Sequence, residues 1–255
     1  MHNWKHINTT YIYDGSFDGL LCIVFDSYIN KTIPENIVCN DYCINLFNTY
    51  KKITTDYEKS KRIYNGIVKN ISYNTLYYSY NVFLSNEMNK EILILNYLLL
   101  GFEIGNKIDH LLSNPIVLDI QKISKRVLNE CHRFKGLTRF IKISNNLFYS
   151  KIHPDNNIIE YLGNHFIKRL PNENFIIHDK IRNIAFLYNT STYIIVEAEN
   201  LEINSMSEDE IYFQNLWKCF YNTISIKERK NPRLQMQYMP KKYWQDLIEK
   251  QITIN

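Results

Sequence analysis

The stretch Asn114–His153, NPIVLDIQKISKRVLNECHRFKGLTRFIKISNNLFYSKIH, changes its hydrophobic period halfway along and so decides the class of fold. Asn114-Pro115 is an N-cap followed by proline at the first helical position, where a missing N–H is harmless. Ile116, Ile120, Ile123, Val127, Cys131 and Phe134 then recur at steps of three or four, one apolar stripe of a helix. Lys122, Arg126, Asn129 and Arg133 repeat with the same spacing on another face, and Gly136 is expected to stop the helix. From Leu137 the period becomes strand-like. Leu137–Ser144 and Leu147–His153 flank Asn145-Asn146, a short hairpin turn.

Downstream, Pro154-Asp155 leads into a helix with Ile158, Ile159, Leu162, Phe166 and Leu170 inward, closed by Pro171. Three strand-like runs follow: Phe175–Asp179, Ile181–Tyr188 and Thr192–Glu197. Two strands, a helix and further strands joined by short turns suit an antiparallel sheet with a helix on one face. Ser207 and Glu210 have capping-box spacing, so a helix begins there, with Phe213, Trp217, Phe220 and Ile224 expected as its buried stripe.

Upstream, the chain to about residue 112 reads mostly helical. Asp14-Gly15-Ser16 introduces a helix with Phe17, Leu20, Leu21, Val24 and Tyr28 on one face. Gly19 inside it costs about 1 kcal/mol relative to Ala, which points to close packing or close ligand approach. Residues 30–55 read as loop with short elements, Ile63, Ile67 and Ile71 mark a second helix, Ser72 caps a third, and Ser85 opens a greasy one. The expected fold is α+β: a helical N-terminal region (1–112), a linking helix with a central antiparallel sheet and packed helix (113–200), and a C-terminal helix with a basic arm (201–255), forming one compact unit.

Composition narrows the function classes. Of 255 residues 45% are hydrophobic and 22% charged, so the chain is neither a disordered tail nor a membrane protein. With only 7 Gly it has no G-x-G-x-x-G turn and no phosphate loop, which excludes most nucleotide-dependent enzymes. Met1–Tyr13 has no apolar signal core and Ile92–Leu100 is far shorter than a bilayer span of roughly 20 residues, so a cytosolic protein is expected. Five cysteines, an odd number, suit free thiols. Cys39 and Cys43 have a partial iron–sulfur spacing without further ligands nearby, and no metal or cofactor is expected.

Charge is unevenly spread. Lys122, Lys125, Arg126, Arg133, Lys135, Arg139 and Lys142 stand against Glu130 alone, about +6 net. Lys227, Arg229, Lys230, Arg233, Lys241 and Lys242 stand against Glu228, about +5. The whole chain is only +4, so the remainder is acidic. In the second window Tyr238, Tyr243 and Trp244 interleave with the cations, an arrangement that offers positive charge to phosphates and rings to bases. The competing expectation is an arm docked on its own domain through Tyr243 and Trp244.

Four blocks carry a family resemblance. They are Tyr13-Asp14-Gly15-Ser16-Phe17-Asp18-Gly19-Leu20-Leu21; His132-Arg133-Phe134-Lys135-Gly136 with Arg139-Phe140; Phe175-Ile176-Ile177-His178-Asp179 with Arg182; and Glu228-Arg229-Lys230-Asn231-Pro232-Arg233-Leu234-Gln235 with Met239-Pro240-Lys241-Lys242-Tyr243-Trp244. In this order they resemble the radical-SAM-linked DNA metabolism and repair protein family, departing mildly at Leu137, Met236 and Tyr238. That family is a domain of unknown function, and some members are fused to a uracil-DNA-glycosylase-like domain. The resemblance implies DNA, a radical SAM protein and a uracil-DNA-glycosylase-like protein as partners, and it supplies no catalytic residue.

The expected function is an accessory protein of DNA metabolism or repair, without independent activity, that binds nucleic acid and acts with a radical SAM partner. Its nucleic-acid-binding candidates are Lys122, Arg126, Arg133, Lys135, Arg139, Arg229, Arg233, Lys241, Lys242 and Trp244. Tyr13, Asp14, Gly15, Phe17, Arg182, Asn231 and Pro232 are the other motif candidates. An enzyme using His132, His178 and Asp179 is the alternative. His178 and Asp179 would point to opposite faces of one strand, which speaks against a ready-made pair, and Asp14, Asp155 and Asp179 have no metal spacing. A protein-only adaptor, its basic windows meeting an acidic partner, is the third reading. If both windows serve one polyanion, Arg133, Lys135, Arg229 and Arg233 should share a groove.

Overall fold

A computed structural model describes residues 4–39, 49–144, 146–199, 201, 208–224 and 226–250. The chain divides into two compact units, Met1–Leu128 and Asn129–Asn255. The architecture is α+β, as expected.

The first unit holds three strands that the sequence reading passed over. β1 (Lys5–Tyr13), β2 (Thr32–Cys39) and β3 (Thr49–Lys52) form a parallel sheet in the order β2-β1-β3, with α1 (Phe17–Asn30) crossing from β1 to β2. The expected loop over 30–55 is therefore corrected to two strands among its described residues. Parallel pairing joins segments far apart in sequence, which local period does not reveal. Pro34 is tolerated because β2 is an edge strand whose pairing with β1 shifts register between Ile7 and Thr10.

α2 (Tyr57–Asn70), α3 (Tyr73–Phe83) and α4 (Lys90–Ile104) complete the unit. Asp56 caps α2 by accepting from the N–H groups of Glu58 and Lys59, and Ser72 caps α3 by accepting from that of Thr75. The greasy helix begins at Lys90 rather than Ser85. Ser85 instead donates its hydroxyl to the Val82 carbonyl (2.6 Å), and the Lys90 ammonium takes the carbonyls of Phe83 (2.5 Å) and Ser85 (2.7 Å), closing the end of α3. Ile94, Leu95, Tyr97 and Leu98 are wholly buried in a core with Leu20, Ile23 and Val24 of α1. Among the described residues no helix is long and apolar enough to cross a membrane.

α5 (Pro115–Leu137) is the linking helix. Asn114 accepts from the Ile116 N–H (2.9 Å), and Val117, Ile120, Val127 and Phe134 are buried along the stripe. It runs through Gly136, where an added Cβ would meet open space.

The second unit is a five-stranded sheet ordered β4 (Ile141–Ser144), β5 (Leu147–Ile152), β6 (Asn174–Asp179), β7 (Ile184–Asn189), β8 (Tyr193–Glu197). All neighbours are antiparallel except β5 and β6. That pair is parallel because α6 (Ile159–Arg169) lies between its strands in sequence as a crossover. α6 packs through Gly163, whose missing Cβ leaves room for the Phe186 ring, while Phe140 meets Phe166 and Phe175 edge-on.

α7 (Glu208–Thr223) overturns one expectation. Phe213, Phe220 and Ile224 are 59%, 53% and 57% exposed and Trp217 is 38% exposed, so they are not a buried stripe. The helix docks instead along the face of Glu210, Gln214 and Trp217, so that of the expected stripe only Trp217 takes part. Glu210 is buried and accepts from the Lys142 backbone N–H (2.8 Å) and from Gln214 (3.0 Å), while Trp217 donates to Glu249 (3.0 Å). Ser207, the other half of the expected capping box, lies outside the described residues.

Candidate nucleic-acid interface

The motif blocks sort into residues that the fold engages and residues that it leaves at the surface. At the first block, Asp14 follows β1 and faces the start of α1. Its carboxylate accepts from the Ser16 N–H (2.9 Å), the Ser16 hydroxyl (2.7 Å) and the Thr55 hydroxyl (2.6 Å). Burial works against the charge, but these hydrogen bonds prevail and hold the Asp14 carboxyl below the ordinary range. Ser16 caps α1 through the Gly19 N–H (2.9 Å), and any Cβ at Gly19 would run into the Asp14 carboxylate. Gly19 thus marks close packing. Gly15 has φ +80°, a conformation side chains rarely adopt, and Phe17 packs against Tyr80 and Phe83. Tyr13 is buried and donates to Glu91 (3.3 Å). Burial, Glu91 and Cys39 all push its phenol upward, keeping it protonated.

In the second unit Glu130 is a buried hub. It accepts from the backbone N–H groups of Asp155 and Asn156 (both 2.9 Å), the Asn156 side chain (2.6 Å) and the Tyr243 hydroxyl (2.6 Å). Tyr243 packs edge-on against Phe134, its ring centroid 4.7 Å away. The C-terminal arm is therefore docked through Tyr243. Trp244 donates to the Met239 carbonyl (2.9 Å), and its ring lies 4.7 Å from the Lys250 ammonium.

Arg182 is a clamp. It donates to Asp179 (2.9 Å) and to the carbonyls of Pro154 (3.2 Å) and Asp155. Asp179, wholly buried, also accepts from the N–H groups of Ile181 and Arg182. His178 is buried on the other face of β6, where its Nδ1 lies 3.0 Å from the Tyr149 hydroxyl and its Nε2 has no hydrogen-bond partner among the described residues. Burial and then the charge of Lys180 lower its basicity, with Asp179 opposing. Burial chiefly pushes the Tyr149 phenol up to about 12. His132 is exposed on α5. The three residues of the enzymatic alternative are thus not brought together. Among the described residues no three His, Cys, Asp or Glu side chains could hold a metal, and Cys43 lies outside them.

The candidate cations divide the same way. Arg126 pairs with Glu87 (2.6 Å), Arg139 with Glu249 (2.7 Å) and Lys242 with Asp155. Lys122 is exposed on α5 in the first unit, as are Arg133 and, in part, Lys135 on the segment belonging to the second. Lys241 lies 6.0 Å from the Trp244 ring. Arg229, Lys230 and Arg233 are exposed and have no carboxylate partner among the described residues.

Arg229 and Lys230 line a concavity of about 750 Å³ with Lys250, Tyr221, Gln235 and Tyr238. Asn231 and Pro232, also on its wall, are the N-cap and first residue of α8 (Pro232–Tyr238), with Asn231 accepting from the Leu234 N–H (3.0 Å). This is the signal of Asn114-Pro115 repeated, and the sequence reading missed it. Gln235 donates to the Tyr221 hydroxyl (2.8 Å), fixing one ring of the wall. Glu249 also contributes; burial would raise its carboxyl, but hydrogen bonds from Arg139 and Trp217 hold it below the ordinary range, and the Arg139 guanidinium offsets its charge. Arg133, Lys135 and Arg233 do not line this concavity.

A family model described as a domain of unknown function, DUF4130, matches residues 88–249, and the chain belongs to that family. The match takes in the second, third and fourth blocks. The first, at Tyr13–Leu21, lies before it. No curated protein matches the chain. Among solved structures, the pGpG-specific phosphodiesterase PggH of Vibrio cholerae aligns with 70% of this chain and 81% of its own at 11% identity. Its TM-score is 0.34, too low to carry an argument about fold or activity.

Proposed function

We infer that the protein binds nucleic acid through its C-terminal signature, as an accessory in DNA metabolism or repair working beside a radical SAM protein. One observation carries the binding: Arg229 and Lys230 line a concavity with tyrosine rings and lack any carboxylate partner among the described residues. Glu249 on the same wall is already paired with Arg139, so the repulsion among these cations is left for a polyanion to relieve while it releases its own condensed cations. The DNA context and the radical SAM partner rest on the block resemblance. Catalysis by His178 and Asp179 is disfavoured, since both are buried and Asp179 is engaged by Arg182.

The test is a salt titration. Fluorescence anisotropy of a labelled oligonucleotide should give a log–log slope of about 0.7–0.9 per phosphate contact. Arg229→Ala, Lys230→Ala and Arg233→Ala should each weaken binding to all sequences alike and lower the slope by about 1 unit or less. Binding that ignores salt, or that these variants leave untouched, would overturn the reading.

A further inference from the structure

We propose that the concavity between the end of α7, the turn Lys227–Arg229, α8 and the turn Ile248–Lys250 takes one unpaired nucleotide of a single strand. This rests on the nucleic-acid reading above and specifies the form of strand the site accepts.

Size and shape argue first. A space of about 750 Å³ is in the range of small-ligand pockets, enough for a base with its sugar and phosphate. A duplex presents a convex phosphate surface and keeps its bases stacked inside, so only an unpaired or extruded nucleotide enters a hollow of this kind.

The lining argues next. Tyr221 and Tyr238 provide aromatic surface, and every base has a π-face to lay against it. The Lys250 ammonium lies 5.4 Å from the Tyr221 ring, close to where a phosphate would follow its base. Arg229 and Lys230 bring two more cations to the same wall. Arg233, on α8 but outside the lining, continues the positive charge beyond the hollow, which favours a strand over a free nucleotide.

The experiment compares three probes with the full chain at one salt concentration: fluorescein-labelled dT12, a labelled 12-base-pair duplex, and free dTMP as competitor. The strand should bind at least tenfold more tightly than the duplex, and dTMP should compete only at far higher nucleotide concentration. Tyr238 is 69% exposed, so Tyr238→Leu should fold normally and weaken dT12 binding five-fold or more without changing the salt slope. Equal affinity for strand and duplex, unmoved by Tyr238→Leu, would overturn this inference and leave nucleic-acid binding standing. Competition by dTMP at matched concentration would replace it with a free-nucleotide site. Failure to bind either polymer would sink both.

Discussion

Glu130→Gln tests whether one buried carboxylate holds the second unit together. Glu130 is 4% exposed and accepts four hydrogen bonds, two at each oxygen: Asp155 N–H and the Tyr243 hydroxyl at one, Asn156 N–H and its side-chain amide at the other. Glutamine keeps the shape but converts one acceptor into a donor. Whichever way the amide is turned, a backbone N–H, the part-buried one of Asp155 or the buried one of Asn156, then faces another N–H. An unsatisfied buried donor costs about 1–3 kcal/mol, and hydrogen bonds that were charge-assisted at about 1.5–3 kcal/mol weaken to about 1. The variant should therefore lose about 3 kcal/mol, which lowers the melting temperature of a unit this size by roughly 10 °C. Tyr243→Phe keeps the ring on Phe134 and removes a single donor, so it should lose only about 1–2 kcal/mol. Thermal unfolding followed by tryptophan fluorescence, with the double variant completing a cycle, reads both values. Less than 0.5 kcal/mol for Glu130→Gln, or strict additivity in the cycle, would refute the hub.

Two further predictions concern other parts of the fold. Gly19→Ala gains about 1 kcal/mol of helix propensity but drives its Cβ into the Asp14 carboxylate and to 2.9 Å from the Thr55 hydroxyl, for a net loss of about 1–2 kcal/mol. Gly136→Ala, whose Cβ would meet no other described part of the chain within 4 Å, should instead stabilise by up to about 1 kcal/mol; urea midpoints that rank the two the other way would contradict the packing. His178 is held neutral in the fold, chiefly by burial, and takes up a proton near pH 6.5 when unfolded. Its contribution is thus whole above that pH and is lost as pH falls below it, by at most about 1.4 kcal/mol per unit. His178→Gln should flatten denaturant-measured stability between pH 6.5 and 5.5, and an unchanged slope would count against the burial argument.

Local period made α5 and the second unit legible, because Ile116 through Phe134 and the runs around Asn145-Asn146 carry their signal within a few residues of themselves. The parallel sheet was hidden because β1 pairs with β2 and β3, and nothing in Lys5–Tyr13 announces partners that begin at Thr32 and Thr49. α7 shows the opposite limit. Phe213, Phe220 and Ile224 do share a flank, but period cannot say whether anything covers it, and among the described residues they remain more than half exposed. The charge windows were visible as windows only. Whether a given cation is neutralised depends on acids far away in sequence: Arg139 meets Glu249 across 110 positions and Lys242 meets Asp155 across 87.

That distinction bears on how the signature blocks are read. A residue whose contacts are all inside the fold is explained once those contacts are named, and Arg182 is the clearest case. Its guanidinium is taken by Asp179 and two carbonyls, so removing it would loosen the turn after β6 whether or not DNA exists. The same holds for Asp14, Tyr243 and Lys242. Arg229, Lys230 and Arg233 have no such account. They crowd three positive charges around the start of a seven-residue helix, an arrangement that repels itself and gains nothing from the packing beneath. Glu228 precedes Arg229 and Glu249 lines the same wall, yet no described carboxylate forms an ion pair with any of the three cations. The part of the signature that the fold leaves unexplained is therefore the part that calls for an anion from outside.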